Sequence, residues 1–165
     1  AAGAMGFSGD DGRTSIFDYC SIPTLVRWYN NGNCGIQKLN NKERKIRAFY
    51  KKVLRLCNGE KAIFEGAFFD LMYVNYHNLN PNKQYLYLRH YENETLLIAV
   101  NFDSQDATVY ADIPQHAFDF LKIDSGTYFM KDLISGKQKT VEFSSNAKFE
   151  LHIPAHNGVV WKIVK

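Results

Sequence analysis

Few side chains in this sequence have the types and spacing that could do chemistry. The carboxylates come first, because cleavage of a glycosidic bond needs two, about 5 to 9.5 Å apart. Asp10-Asp11 and Asp18 lie near the start, and Asp103, Asp106 and Asp124 flank turns further on. Adjacent aspartates in a Gly-rich stretch read first as a turn, and isolated aspartates beside turns suit the backbone there. His152 and His156 are four apart, but Pro154 lies between them in a strand context. Four-residue spacing aligns ligands only on a helix, so no metal is expected. Cys20, Cys34 and Cys57 are fourteen and twenty-three positions apart and match no C-x-x-C metal pair. Free buried thiols are the plainer reading.

Nucleophile and phosphate motifs are missing. There is no G-x-S-x-G elbow, no P-loop and no G-x-G-x-x-G fingerprint. Gly6-Phe7-Ser8-Gly9 only superficially resembles a nucleophile turn, since no hydrophobic strand precedes it. No cofactor is expected. The remaining candidates are aromatic. Tyr85, Tyr87 and Tyr91 fall on one face of an alternating segment and could stack on a sugar ring. The same alternation also serves cross-strand packing or cover for a neighbouring helix.

The elements that must position these groups change character along the chain. Pro23 suits the first turn of a short helix through Arg27 and Tyr29, with Ser21 as cap. Asn30-Asn31-Gly32-Asn33 is a turn cluster. Asn41 to Cys57 is the clearest helix, with Asn40 and Glu43 in a capping-box pattern. Ile46, Phe49, Tyr50, Val53, Leu54 and Cys57 form its apolar stripe, and Asn58-Gly59 reads as its stop. Such a stripe needs cover: the β domain, residues 1–40 or a second copy, which makes self-association through this face an expectation. The basic residues Lys42 to Arg55 on the same helix read as a solvated face. A net charge of +3 is too mild for a nucleic-acid partner.

After Gly59 the period falls from 3.6 to 2. Tyr85 to Tyr91 alternates. Glu92-Asn93-Glu94 reads as a hairpin connection. Thr95 to Phe102 is nearly all apolar, which suits a central strand buried on both faces. Further strands are expected at 108–113, 127–133, 140–143, 148–153 and 159–164. The segment 116–123 is open between a helical turn and a crossing loop. The expected class is mainly β: an antiparallel Greek-key β-sandwich of seven or eight strands, behind a loop-rich segment and one or two helices. No apolar run approaches the 18 residues of a membrane helix, and no membrane partner is expected.

The most specific string is Asp11-Gly12-Arg13-Thr14-Ser15-Ile16-Phe17-Asp18-Tyr19, flanked by Gly6-Phe7-Ser8-Gly9 and Ser21-Ile22-Pro23. It resembles the segment after the last catalytic-barrel strands of α-amylase-type enzymes, glycoside hydrolase family 13. Leu39 to Leu56 is similar to the final barrel helix of that family. Lys61-Ala62-Ile63-Phe64-Glu65-Gly66-Ala67-Phe68-Phe69-Asp70-Leu71 is similar to its P-A-L-x-x-G-x-F-x-D-L stretch. Tyr85 to Phe102 matches its aromatic strand, charged turn and L-L-I-A-V-N-F strand. Cys20 departs from the pattern, where an aromatic is typical.

The resemblance implies residues 1–60 as the end of a (β/α)₈ barrel and residues 61–165 as a C-terminal β-sandwich. It implies a parent glycosidase acting on α-glucans such as starch and maltooligosaccharides, periplasmic or extracellular, with the missing catalytic barrel as partner. No position here matches the family's catalytic carboxylates, and no Asn-His-Asp motif occurs. A complete barrel takes about 250 residues. The expectation is therefore a non-catalytic piece that supports the barrel and is itself inactive. Two alternatives stay open: a carbohydrate-binding module using Tyr85, Tyr87 and Tyr91, and a generic Ig-like interaction domain.

Overall fold

A computed structural model describes residues 22–145 and 147–165. The string 11–19, the acidic residues Asp10, Asp11 and Asp18, Cys20 and the expected cap Ser21 lie outside the described residues. The chain divides into two compact units, residues 1–52 and 53–165.

In the first unit, helix α1 spans Pro23–Tyr29. Its N-cap position is Ile22, with no side-chain cap bond; Pro23 at N1 needs no donor partner there. Asn30 and Asn31 both take left-handed backbone and close the helix into a 3₁₀ turn. Helix α2 spans Asn41–Gly59, two residues beyond the expected end at Cys57, so that it includes Asn58 and Gly59. Its start is the reciprocal box the sequence implied. The Glu43 N–H donates to Asn40 Oδ1 at 2.9 Å, and the Asn40 N–H donates to a Glu43 carboxylate oxygen at 2.9 Å. Arg27 of α1 forms an ion pair with the same carboxylate, and the Thr24 hydroxyl donates to it at 2.7 Å. Those donors hold the Glu43 carboxyl down at about 2, the Arg27 bond contributing most. No α2 residue is buried, and Ile46, Phe49, Tyr50 and Leu54 are exposed. Among the described residues, the stripe is thus left largely without the cover expected for it.

The second unit is the β domain. It opens with one helical turn, α3 (Lys61–Phe64), then strand β1 (Ala67–Asp70) and another turn, α4 (Met72–Asn75). Strands β2 (Gln84–Tyr91) and β3 (Glu94–Asn101) follow as a hairpin, in which Tyr91 faces Glu94 across a two-residue turn. Glu92 in that turn has φ 51°, as the tight primed turns of hairpins require. Next come β4 (Ala107–Asp112), α5 (Gln115–Leu121), β5 (Gly126–Asp132), β6 (Gln138–Phe143), β7 (Lys148–Ile153) and β8 (Asn157–Val164). The open segment 116–123 is resolved in favour of helix: Ala117, Phe118 and Leu121 recur at helical spacing and are all buried.

Six strands form one antiparallel sheet in the order β1-β2-β3-β8-β5-β6, and β4 and β7 pair as a second sheet. This is a mainly β sandwich-like domain. The core lies against one face of the large sheet, where Leu86, Leu88, Leu97, Ala99, Met130, Trp161 and Ile163 meet Val109, Ala111, Phe149, Leu151 and Ile153 of the small sheet. Three buried polar residues hold irregular backbone to it. Asn101 donates to the carbonyl of Gln105 at 2.8 Å and accepts from Gln84 and the Asp103 N–H. Asn75 bridges Leu71 to both backbone groups of Asp112. The Asp132 carboxylate accepts from the N–H groups of Ile134, Ser135 and Val160 and from the Ser135 hydroxyl. Each satisfies groups that would be costly to bury unpaired.

Candidate functional site

The tyrosine face is set by the pleat of β2. Successive side chains point to opposite faces, so Leu86 and Leu88 enter the core while Tyr85, Tyr87 and Arg89 stand on the other, outer face. Cross-strand register supplies their neighbours. Tyr87 faces Ile98 and Tyr85 faces Val100 of β3, while Phe68 of β1 lies opposite Arg89. The Tyr85 and Tyr87 rings lie 5.6 Å apart, and the Phe68 and Tyr87 rings 5.4 Å.

Together with Ile63, Phe102 and the stem of Arg89, these side chains line an open groove of about 470 Å³. The sequence reading missed Phe68, Ile98, Val100 and Phe102. The signal was available: a strand apolar on both faces needs something against each of them. Tyr91 does not join the groove lining. It stands at the end of β2, where the Lys61 ammonium lies 5.4 Å from its ring centre. Of the three candidate residues, the structure brings two together.

A frame of polar bonds fixes one wall. The Arg89 guanidinium donates to the carbonyls of Ala62 and Ile63, at 2.9 and 2.5 Å, capping the end of α3. Glu94 accepts the Ala62 N–H at 3.0 Å, and Lys162 bridges Glu94 and Glu60 at 3.1 and 2.7 Å. A side chain at Gly66 would meet the carbonyl oxygens of Ala62 and His90 at 2.3 and 2.6 Å, so only glycine lets α3 come this close to the sheet. Arg89 is therefore occupied with structure.

The groove's chemistry follows from its lining. Burial pushes the Tyr87 hydroxyl above its usual range, with a smaller opposing pull from Arg89. Burial, then Asp70, raises Tyr85. Both stay neutral phenols at ordinary pH. No carboxylate, imidazole or thiol is among the described lining, whose ionisable groups are the two phenols and the Arg89 guanidinium. Its two tyrosine rings are tilted by 44° and share no single plane on which a ring could stack.

The other candidates are dispersed. Asp103 pairs with Lys83 at 2.8 Å, and that bond lowers its carboxyl below the usual range. Asp106 accepts the Ala155 N–H and faces His152 at 3.5 Å. Asp124 pairs with Lys165 at the end of the chain. His152 stands on β7, while His156 is in the following turn with φ 49°. Among the described residues, no group of three or more His, Cys, Asp and Glu could hold a metal. Cys34 and Cys57 are free thiols, but Cys34 is exposed and Cys57 half-buried, not buried as expected.

This fold recurs among solved structures. An α-amylase from Geobacillus thermoleovorans, complexed with acarbose, superposes with a TM-score of 0.56 at 16% identity, over 77% of this chain and 24% of that one. An Anoxybacillus α-amylase superposes at 0.52 with 18% identity, over 73% and 22%. A noncanonic maltogenic α-amylase from Thermotoga neapolitana gives 0.55 at 14%, over 77% and 27%. The chain has the fold of a portion of α-amylases. It spans about a quarter of the length of these α-amylases. No protein-family model and no curated protein sequence matches it.

Proposed function

We propose that this chain is the C-terminal part of an α-amylase-like glycoside hydrolase acting on α-glucans, and that it is a non-catalytic support for the catalytic barrel. In this reading residues 1–60 are the end of the barrel and residues 61–165 the C-terminal sandwich. One observation carries it: the outer face of the six-stranded sheet is apolar where an antiparallel sheet facing water would be polar. Phe68 is 45% exposed and Phe102 68%, beside Tyr85 and a groove floored by Ile98 and Val100. Contiguous exposed apolar surface marks an interaction site. The barrel that the α-amylase fold places in the same enzyme is its natural occupant. The exposed stripe of α2 belongs to the same reading, and in the isolated chain it would drive self-association.

Incubation of the purified chain with starch and maltoheptaose tests the non-catalytic role; no reducing ends should form, and sustained release would overturn it. Calorimetry with maltoheptaose tests the face. Heat that disappears in Tyr87→Ala would replace support by carbohydrate binding at Tyr85 and Tyr87. A dye for apolar surface should bind the chain and lose signal in Phe102→Glu, as expected of a docking face.

A further inference from the structure

The six-stranded sheet ends on two strands that are finished differently. At one end, β1 is four residues long and is bounded by α3 and α4. At the other end, β6 runs over six residues and pairs with β5 alone. In the small sheet, β4 runs to Pro114 two residues on, and β7 ends directly at Pro154. Short strands, prolines and lysines are the usual guards of a sheet edge. β6 holds no proline, and its one lysine is turned away from the edge. The Lys139 ammonium lies 4.9 Å from the centre of the Trp161 ring and donates to the Glu150 carbonyl at 3.2 Å, on the core side. We infer that β6 is the pairing edge of a symmetric dimer, and that its partner is β6 of a second copy of this chain.

The turn into β6 fixes which groups face outward. The Gly136 N–H donates to the Asp132 carbonyl and the Asp132 N–H to the Lys137 carbonyl, both at 2.8 Å, with Gly136 at φ 82°. Lys137 is therefore bonded to β5. An antiparallel ladder alternates, so Lys139, Val141 and Phe143 also give their backbone groups to β5. Gln138, Thr140 and Glu142 direct theirs to the open edge, and their side chains are exposed.

Symmetry then limits the register. A two-fold axis normal to the sheet keeps both core faces on one side, so each residue must oppose one of its own parity. An axis at Thr140 sets Thr140 against Thr140 of the second copy, and Gln138 against Glu142 in both directions. The Gln138 amide can donate to the Glu142 carboxylate, one oxygen of which takes the Thr127 hydroxyl at 3.1 Å. Threonine pairs and opposed polar pairs of this kind stabilise a ladder, and like charges directly opposite destabilise it. An axis at Lys139 would set lysine against lysine, and one at Glu142 glutamate against glutamate. An axis at Val141 would set Lys139 against Phe143, which has no exposed surface, and Gln138 against Ser144, outside the strand. Thr140 is the centre that leaves no such conflict. Edge pairing uses neither face of the sheet, so the inference is independent of the support role proposed for the outer one.

The test is oxidative cross-linking of the whole chain in a Cys20→Ser, Cys34→Ser and Cys57→Ser background. Opposed residues of a hydrogen-bonded pair lie about 5.5 Å apart between Cα atoms, inside the disulfide range of about 4.4–6.8 Å. Thr140→Cys should therefore cross-link to itself. Gln138→Cys alone and Glu142→Cys alone should not, since each lies about 13 Å along the strand from its own copy, at about 3.3 Å per residue. Mixed together, those two should cross-link to each other. A Phe49→Glu background disfavours association through α2, and sedimentation there should still show a concentration-dependent dimer. Thr140→Pro, which removes an N–H that β5 does not use, should weaken that dimer about tenfold or more. Thr140→Lys, which keeps the N–H and sets lysine against lysine at an exposed position, should do the same. No disulfide dimer from Thr140→Cys overturns the inference, as do equal yields from all three single cysteines. A dimer that vanishes in Phe49→Glu, or that persists in both Thr140→Pro and Thr140→Lys, overturns it too and moves the contact away from β6.

Discussion

The two faces of the six-stranded sheet are built from the same strands and differ in how they are finished. On the inner face, Leu86, Leu88, Leu97 and Ile163 are fully enclosed by the small sheet and α5. On the outer face, Leu96 is enclosed by α3 while Ile98 and Val100 lie at the base of an open groove whose rim, Phe68 and Phe102, faces water. An inner position is closed by partners within the chain; much of the outer face is apolar without them among the described residues. The stability of the domain should therefore come from one face and its capacity to associate from the other.

The largest expected effect lies on the inner face. Leu97→Ala removes a side chain with no exposed surface and leaves a cavity, at a cost of about 2–5 kcal/mol, to be read from the urea midpoint of unfolding. Phe102→Ser, one strand end away, should shift that midpoint by less than about 0.5 kcal/mol. Equal losses from the two substitutions would dissolve the contrast between the faces.

A smaller loss is expected at the joint between layers. Asn101→Leu keeps the branched heavy-atom outline of a buried side chain but withdraws the amide that serves the Gln105 carbonyl and the oxygen that serves Gln84 and Asp103. Buried groups left without partners cost about 1–3 kcal/mol. Unfolding by urea should report it, with a two-state transition retained.

Much of this division was legible in the residues. The alternation of 85–91 put the tyrosines opposite Leu86 and Leu88, and the nearly all apolar run of 95–102 announced a central strand apolar on both faces, though cover on the outer one is only partial. Asn40 and Glu43 announced their own box. What stayed hidden depends on residues distant in sequence. Tyr91 has the same parity as Tyr87, yet it meets Lys61 and not the groove, because α3 inserts beside that end of β2. The open edge of β6 follows from the strand order of the whole sheet, and no local pattern contains it. The N-cap position of α1 falls at Ile22, which has no side-chain acceptor, and not at Ser21 as expected.

The insertion of α3 can be tested as the feature that covers part of the outer face. In Gly66→Ala the new methyl would collide with two backbone carbonyls, which cannot move aside as a side chain can. Overpacking of this kind costs about 1–3 kcal/mol. Exchange of the Ala62 amide, held by Glu94, should accelerate in the variant more than exchange of the Leu97 amide. That would show the outer cover loosening ahead of the inner core. Uniform acceleration would mean that α3 and the core open as one body.

The smallest effect separates both faces from the first unit. The Glu43 carboxyl is held at about 2, below its ordinary 4.5, chiefly by Arg27 and then by Thr24. A depressed carboxylate stabilises the folded form above the unfolded value and loses that contribution as pH falls from about 4.5 towards 2. The pair lies at the surface and is partly buried, Arg27 at 38% and Glu43 at 12% exposure, where solvent still screens such contacts, so the loss should be modest and confined to α1 and the start of α2. Amide exchange at Glu43 and Arg44 should rise across that pH range while the Leu97 amide keeps its protection. Glu43→Gln should show the faster exchange already at neutral pH and no further rise on acidification. If Leu97 exchanged in step with Glu43, acid would be acting on the sandwich itself, and the contrast drawn between its two faces would have to be measured at neutral pH alone.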